Sequence, residues 1–249
     1  MTCDHPCACC RYYTVSNPGC EEQCPVCGWT DGGAYNDAGS VWLDEAQRNF
    51  AEIGACARVW LESVTPPSAG LRRAEPPHTL DAWRKALSVE FIGRARAVFA
   101  AAPRPRHFTS RHCDECIEHD EVMGQYDNDT LTFEPLENPG WDPRCFLTKE
   151  GFRYFMPGLI RVQIERLQVD AASVHGGYDV ELIDFHLRDA EDSRFALFTG
   201  AEIELVAQFL ASVVACPGFA GLFLSANEIE RAAESWRMRA ARLASPHAL

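Results

Sequence analysis

Seven of the chain's twelve cysteines fall within its first 27 residues, and four of them form two Cys-x-x-Cys pairs, Cys7/Cys10 and Cys24/Cys27, separated by thirteen residues. Each pair delivers two sulfurs from one tight turn, and two such turns close a tetrahedron of thiolates around a zinc ion at Zn–S distances of about 2.3 Å. The second pair reads Cys24-Pro25-Val26-Cys27-Gly28, and its glycine lets backbone N–H groups turn toward the sulfurs. The first 60 residues are therefore expected to fold around one structural zinc. Cys3, Cys9 and Cys20 are surplus, so a ligand set drawing on Cys9 or Cys3 stays open, as does a reduced or disulfide-linked cluster without metal.

Helical spacing of Leu43, Ala46, Phe50 and Ile53, closed by Gly54, predicts one short helix in this region. Residues 63–79 hold two Pro-Pro pairs and no apolar period and read as a linker. From residue 80 the pattern turns helical. Leu80, Trp83, Leu87, Phe91, Ala95 and Val98 share a face ended by Pro103 and Pro105. A short helix spans Cys113–Met123, and Thr148 caps one carrying Phe152, Phe155, Met156, Leu159, Ile160 and Ile164, with Pro157 placed to kink it or shift its start. Tyr178–Leu187 is the strand candidate. Thr199-x-x-Glu202 and Ser225-x-x-Glu228 are capping boxes for the last two helices. The expected architecture is α+β and mostly helical: a zinc-ribbon domain at 1–62, a linker at 63–79, and a helical domain with a short strand element at 80–249.

Cys7-Ala8-Cys9-Cys10, Tyr13-Thr14, Cys24-Pro25-Val26-Cys27-x-Trp29-x-Asp31-Gly32, Asn36 and Leu43-x-x-Ala46-x-x-Asn49-Phe50-x-x-x-Gly54 resemble the bacterial cysteine-rich CPCC family over residues 7–55. Ala8 departs from that pattern where the motif has proline, and Thr30 where it has an acid. The resemblance implies a small zinc ribbon without known catalysis. Ribbons that bind nucleic acid need positive charge to displace counterions. Up to residue 55 this one sets Arg11 and Arg48 against eight acids, which argues against that partner.

The net charge of −13 is concentrated. Between His112 and Glu150 eleven acids face Arg144 and Lys149, and between Asp179 and Asp192 six face Arg188. Such segments repel nucleic acid and suit a basic protein, with Asp127 and Asp129 as charges and Trp141 and Phe146 as apolar anchors. The longest apolar run, near Val206–Cys216, is too short for a membrane span. The N-terminus shows no secretory pattern, so a cytoplasmic location is expected. His112-Cys113-Asp114-Glu115-Cys116-Ile117-Glu118-His119 is the second chemical feature. Cys113, Cys116, His119 and Cys145 could form a second metal or thiol site, with His186 as a further donor. No glycine-rich phosphate loop, His-Glu-x-x-His motif or nucleophile elbow accompanies it. The leading expectation is therefore a zinc-binding protein that acts by protein–protein interaction, with an immunity-type inhibitor of a basic toxin or nuclease as its specific form. The alternatives are a metal- or thiol-dependent enzyme built on the second cluster and a zinc-ribbon regulator contacting nucleic acid or the transcription machinery.

Overall fold

The computed structural model describes residues 5–16, 20–31, 35–36, 39–74, 79–168, 182–216 and 226–244. The chain divides into two compact units, the first formed by 1–86 with 167–179 and 215–226, the second by 87–166 with 180–214 and 227–249. It is a mostly helical α+β protein.

The first unit opens with three antiparallel hairpins, β1 (His5–Pro6) with β2 (Tyr13–Val15), β3 (Glu22–Gln23) with β4 (Thr30–Asp31), and β5 (Tyr35–Asn36) with β6 (Val41–Trp42). Strands of two or three residues cannot carry a core, so the cysteines and a few apolar side chains do. Val15, Val26, Trp29, Val41, Leu43 and Ala46 are all buried around the cysteines. Helix α1 (Leu43–Ile53) follows, and Gly54 ends it at φ 80° with its N–H on the Phe50 carbonyl, an αL cap. Residues 64–74 run back along the hairpins. Thr65 N–H donates to the Pro25 carbonyl at 2.8 Å, Tyr13 N–H to Arg72 at 3.0 Å, and Ala74 N–H to Arg11 at 2.9 Å. The Arg72 guanidinium lies 3.5 Å over the Tyr13 ring. Helix α2 (Leu80–Leu87) is capped by Thr79, whose hydroxyl accepts from Ala82 N–H.

A π-helical turn, Ser88–Ile92, carries the chain on into α3 (Gly93–Val98). Its extra residue moves the buried face, so Ala95 and then Phe99 are buried while Val98 is half-buried. Then come α4 (Asp114–Gly124), α5 (Lys149–Leu167), α6 (Gly200–Val214) and α7 (Ala226–Ala244). The core of the second unit is aromatic: Phe91 meets Phe209 at 5.5 Å, Phe152 meets Phe195 at 5.4 Å, and Phe195 meets Trp236 at 4.8 Å. Trp236 Nε1–H donates to the Leu187 carbonyl at 2.7 Å, which satisfies its buried polar end.

The Thr199/Glu202 box forms as the sequence predicts, with Thr199 N–H on Glu202 Oε2 at 2.7 Å and Glu202 N–H on Thr199 Oγ1 at 3.3 Å. Glu202 is fully buried and also receives the Arg153 guanidinium, Nε at 3.0 Å and Nη2 at 2.9 Å. Ser225 lies outside the described residues. Helix α5 starts at Lys149, with the Thr148 hydroxyl accepting from Gly151 N–H at 3.1 Å as a cap, and continues past Pro157. One expectation changes. The described part of the strand candidate, Leu182–His186, is a π-helical turn. Leu182, Ile183, His186 and Leu187 are all buried, a helical repeat that the imperfect alternation concealed.

Candidate metal centre

Each of the first two hairpins carries one cysteine pair in its turn, and the two turns repeat the same backbone pattern. In the first, Cys7 N–H donates to the Tyr12 carbonyl at 2.8 Å and Arg11 N–H to the Cys7 carbonyl at 2.9 Å. In the second, Cys24 N–H donates to Trp29 and Gly28 N–H to Cys24, both at 2.8 Å. The residue after each second cysteine is left-handed, Arg11 at φ 69° and Gly28 at φ 80°. Only the second is a glycine, and it has a further reason to be one: a Cβ there would lie 2.5 Å from the Trp60 ring.

The four sulfurs converge. Cys7 Sγ is 3.6 Å from Cys27 Sγ, and Cys10 Sγ is 3.6 Å from Cys24 Sγ. A tetrahedron built on Zn–S bonds of about 2.3 Å has an edge of about 3.8 Å, so the pocket fits such an ion. All four side chains are buried, none more than 1% exposed. The thiols also share protons unequally. Hydrogen bonds from Cys10, Cys27 and Cys7 pull Cys24 far below the ordinary thiol range, and neighbouring thiols with burial hold Cys7 and Cys10 well above it. Four buried sulfurs repel one another as thiolates unless a cation sits among them. Thr14 Oγ1, 3.1 Å from Cys24 Sγ, supports that ligand from outside. Cys9 points elsewhere, its thiol on the Ala46 carbonyl at 3.3 Å. Cys3 lies outside the described residues. Cys56 is buried nearby, and burial pushes its thiol up to about 12. Asn36, which the motif flags, donates to the Gly28 carbonyl and accepts from Gly39 N–H, tying the second turn to the third hairpin.

The second cluster assembles differently from the expected set of Cys113, Cys116, His119 and Cys145. Helix α4 begins one residue later than the helix read from the sequence, with Cys113 as its N-cap. His112 therefore lies off the helix, yet it still meets the cysteines: the donor atoms of His112, Cys113 and Cys116 lie within 4.8 Å of one another. His119 is not among them. It is fully buried, its ring centre 4.1 Å from both Trp141 and Phe146, and neither ring nitrogen has a hydrogen-bond partner. Burial depresses its basicity, against the opposing charges of Glu115, Asp142 and Glu118. Cys145 groups instead with Asp142 and His186.

That third group has the composition of a thiol–imidazole–carboxylate site, with both imidazole nitrogens hydrogen-bonded. His186 Nε2 lies 2.6 Å from Asp142 Oδ2, while Arg194 Nη1 addresses Nδ1 at 3.1 Å. A guanidinium only donates, so Nδ1 is the acceptor and Nε2 carries the proton. Both nitrogens are committed, and burial together with the two arginines keeps the ring neutral against the pull of Asp142. Arg144 closes the network by donating its N–H and Nε–H to Asp142 Oδ1.

The residues expected to meet a partner are engaged within the molecule. Asp127 accepts from the N–H groups of Asp129 and Thr130, Asp129 pairs with Arg96 at 2.5 Å, and Trp141 and Phe146 enclose His119. Asp114, Glu115, Glu118 and Glu121 are exposed on α4, and Asp127, Asp129, Glu134, Glu137 and Glu150 are exposed beyond it.

Residues 5–70 match the model of a family described as cysteine-rich CPCC. The match contains both turns, α1 and most of the returning segment. No curated protein and no solved structure matches the chain. Among the described residues no helix is long and apolar enough to cross a membrane.

Proposed function

We propose that the chain is a zinc protein whose N-terminal unit folds around one Zn²⁺ held by Cys7, Cys10, Cys24 and Cys27, and that it works by binding another protein. The observation that carries the zinc reading is the pair of 3.6 Å sulfur separations inside a fully buried pocket, a spacing that matches a tetrahedral four-thiolate site, the donor set of structural zinc. The ion's role here is structural. Four protein donors leave no open position, and the bond energy goes into ordering hairpins too short to stand alone. Among the described residues no cysteine is in a disulfide, which supports a reducing compartment such as the cytoplasm.

The partner reading rests on charge. Asp114, Glu115, Glu118 and Glu121 follow helical spacing along one face of α4, and a basic protein surface is their natural complement. Inhibition of a basic nuclease or toxin, as immunity proteins perform, is the form of this function that the charge pattern favours. Zinc content separates the two parts of the reading. Purified chain is expected to hold zinc that resists a weak chelator, and Cys24→Ser is expected to release it and unfold the first unit, read by loss of near-ultraviolet dichroism from Trp29. A metal-free chain with that signal intact would overturn the zinc assignment.

A further inference from the structure

The sequence immediately before α4 places three metal-binding side chains where one turn of backbone brings them together. Arg111 is left-handed at φ 52°, and it swings the chain so that His112 folds back over the first turn of the helix. Cys113 caps that turn and accepts the Cys116 N–H on its sulfur at 3.5 Å. Cys116 is buried beneath, and its Sγ lies 3.2 Å from His112 Nδ1. Ser110 Oγ lies 2.6 Å from the same Nδ1 and 3.9 Å from Cys116 Sγ, a hydrogen bond that a metal ion at Nδ1 replaces. We propose that His112, Cys113 and Cys116 form a second metal site, a three-donor seat for a thiophilic divalent cation of the Zn²⁺ class, with its fourth position open to solvent.

Four physical points support this. Two thiolates and one imidazole are the donors that zinc selects, and three protein donors with a free position form the arrangement of an exchangeable or reactive zinc. Cys113 N-caps α4 and Cys116 lies in its first turn with its N–H on the Cys113 sulfur at 3.5 Å, so the helix backbone fixes the two donors against each other. The surrounding charge is negative: Asp114, Glu115 and Glu118 are exposed on the same helix, and a cation is what offsets them. Last, the distances need little change. Mixed Zn–S and Zn–N bonds of about 2.3 and 2.05 Å put sulfur and nitrogen about 3.6 Å apart, so the 3.2 Å contact opens by a few tenths of an ångström. His112 and Cys113 are exposed and free to make that shift. A Cys-x-x-Cys pair at a helix start also suits dithiol exchange, and a Cys113–Cys116 disulfide is the outcome that chemistry gives in the test below.

Full-length protein purified in reducing buffer, loaded with Zn²⁺ and passed over a desalting column, tests the site by elemental analysis. About two zinc ions per chain are expected, and about one in the Cys113→Ser/Cys116→Ser double variant, whose far-ultraviolet dichroism is expected to match that of the native chain. His112→Ala keeps both sulfurs and is expected to weaken the second ion by at least about tenfold in a chelator competition. Cys24→Ser removes the other ion and leaves this one, so failure here is distinguishable from failure of the first assignment. Co²⁺ loading of Cys24→Ser is expected to give visible thiolate charge-transfer bands that shift when a small thiol is added to fill the fourth position. Wild-type protein that holds one ion, a His112→Ala variant with undiminished affinity, or a Cys113–Cys116 disulfide forming in place of the second ion would each overturn the proposal.

Discussion

Gly28 and His119 are the two residues whose environments make the clearest demands. Gly28 has no alternative: it is left-handed, and a methyl group would meet Trp60 at 2.5 Å. Gly28→Ala is expected to cost more than about 2 kcal/mol in chemical denaturation of the first unit, from αL strain plus overlap in a packed site. A loss under about 0.5 kcal/mol would show that Trp60 is free to move aside. His119 poses the opposite problem, since its two buried ring nitrogens lack partners and burial favours the neutral form despite Glu115, Glu118 and Asp142. Its folded basicity lies below the unfolded value near pH 6.5, so the unfolded chain takes up the proton first as pH falls. The stabilisation this residue contributes is thus present above about pH 6.5 and lost below it. His119→Phe is expected to stay within about 1 kcal/mol of wild type at pH 7.5, or above it, because shape is kept while two unsatisfied polar atoms disappear. The fall in thermal midpoint from pH 7 toward 5 should become shallower, with His186, likewise depressed by burial, supplying the residual slope. An unchanged acid limb would mean that His119 is not what titrates there.

At the scale of elements, α5 shows how a rule can be broken by a remote residue. Pro157 has no N–H and its ring crowds the preceding turn, which opens the hydrogen-bond ladder beside it. Asn128 fills the opening. Its Oδ1 accepts from Gly158 N–H at 2.9 Å, and its Nδ2 donates to the Tyr154 carbonyl at 2.9 Å, replacing the bond those two backbone groups would otherwise share. Gly158 lets the loop come this close, since a Cβ would lie 3.0 Å from Asn128 Oδ1 and 3.2 Å from its Cα. Asn128→Ala strands two backbone groups and is expected to lose about 2–4 kcal/mol, whereas Asn128→Asp, which keeps the acceptor only, should lose less. Equal stability of all three proteins would show that water serves the gap. None of this is readable from the local sequence, because the partner lies thirty residues away. The knuckles, α1 and the Thr199/Glu202 box were legible for the converse reason: each is satisfied by residues within one or two turns. The second cysteine–histidine group was half legible. Spacing identified the right residue types but placed His119 beside the cysteines, whereas His112 joins them and His119 is buried against Trp141 and Phe146.

For the molecule as a whole, the question is what a chain of net charge −13 gains from placing its acids unevenly. Several of them are used internally. Asp120 is pushed up by burial but held below the usual carboxylate range by Arg111, His107 and the N–H groups of Phe108 and Thr109, and Asp142, Glu202 and Asp129 each have an arginine. Those charges stabilise the fold and are masked from a distance. Among the described residues no arginine pairs with the exposed carboxylates of α4, where Glu115 only approaches the His119 ring at 3.9 Å, and uncompensated surface charge destabilises a compact state through self-repulsion, a cost that a functional requirement would offset. Binding to a basic partner would supply that requirement, and it makes a prediction with two independent readouts. Association should be accelerated by roughly 10–10³-fold at low salt and should lose most of that gain as ionic strength rises, while dissociation changes little. Glu118→Lys with Glu121→Lys should slow association by a similar factor and leave the thermal midpoint unchanged or slightly higher, because like charges along the helix are relieved. Reversal at Asp127 and Asp129 would be a poorer test, since it also breaks the turn that holds Asn128. If the partner captured with the native chain is acidic, or if the α4 reversal leaves the association rate and its salt dependence untouched, the charge on this helix serves solubility alone.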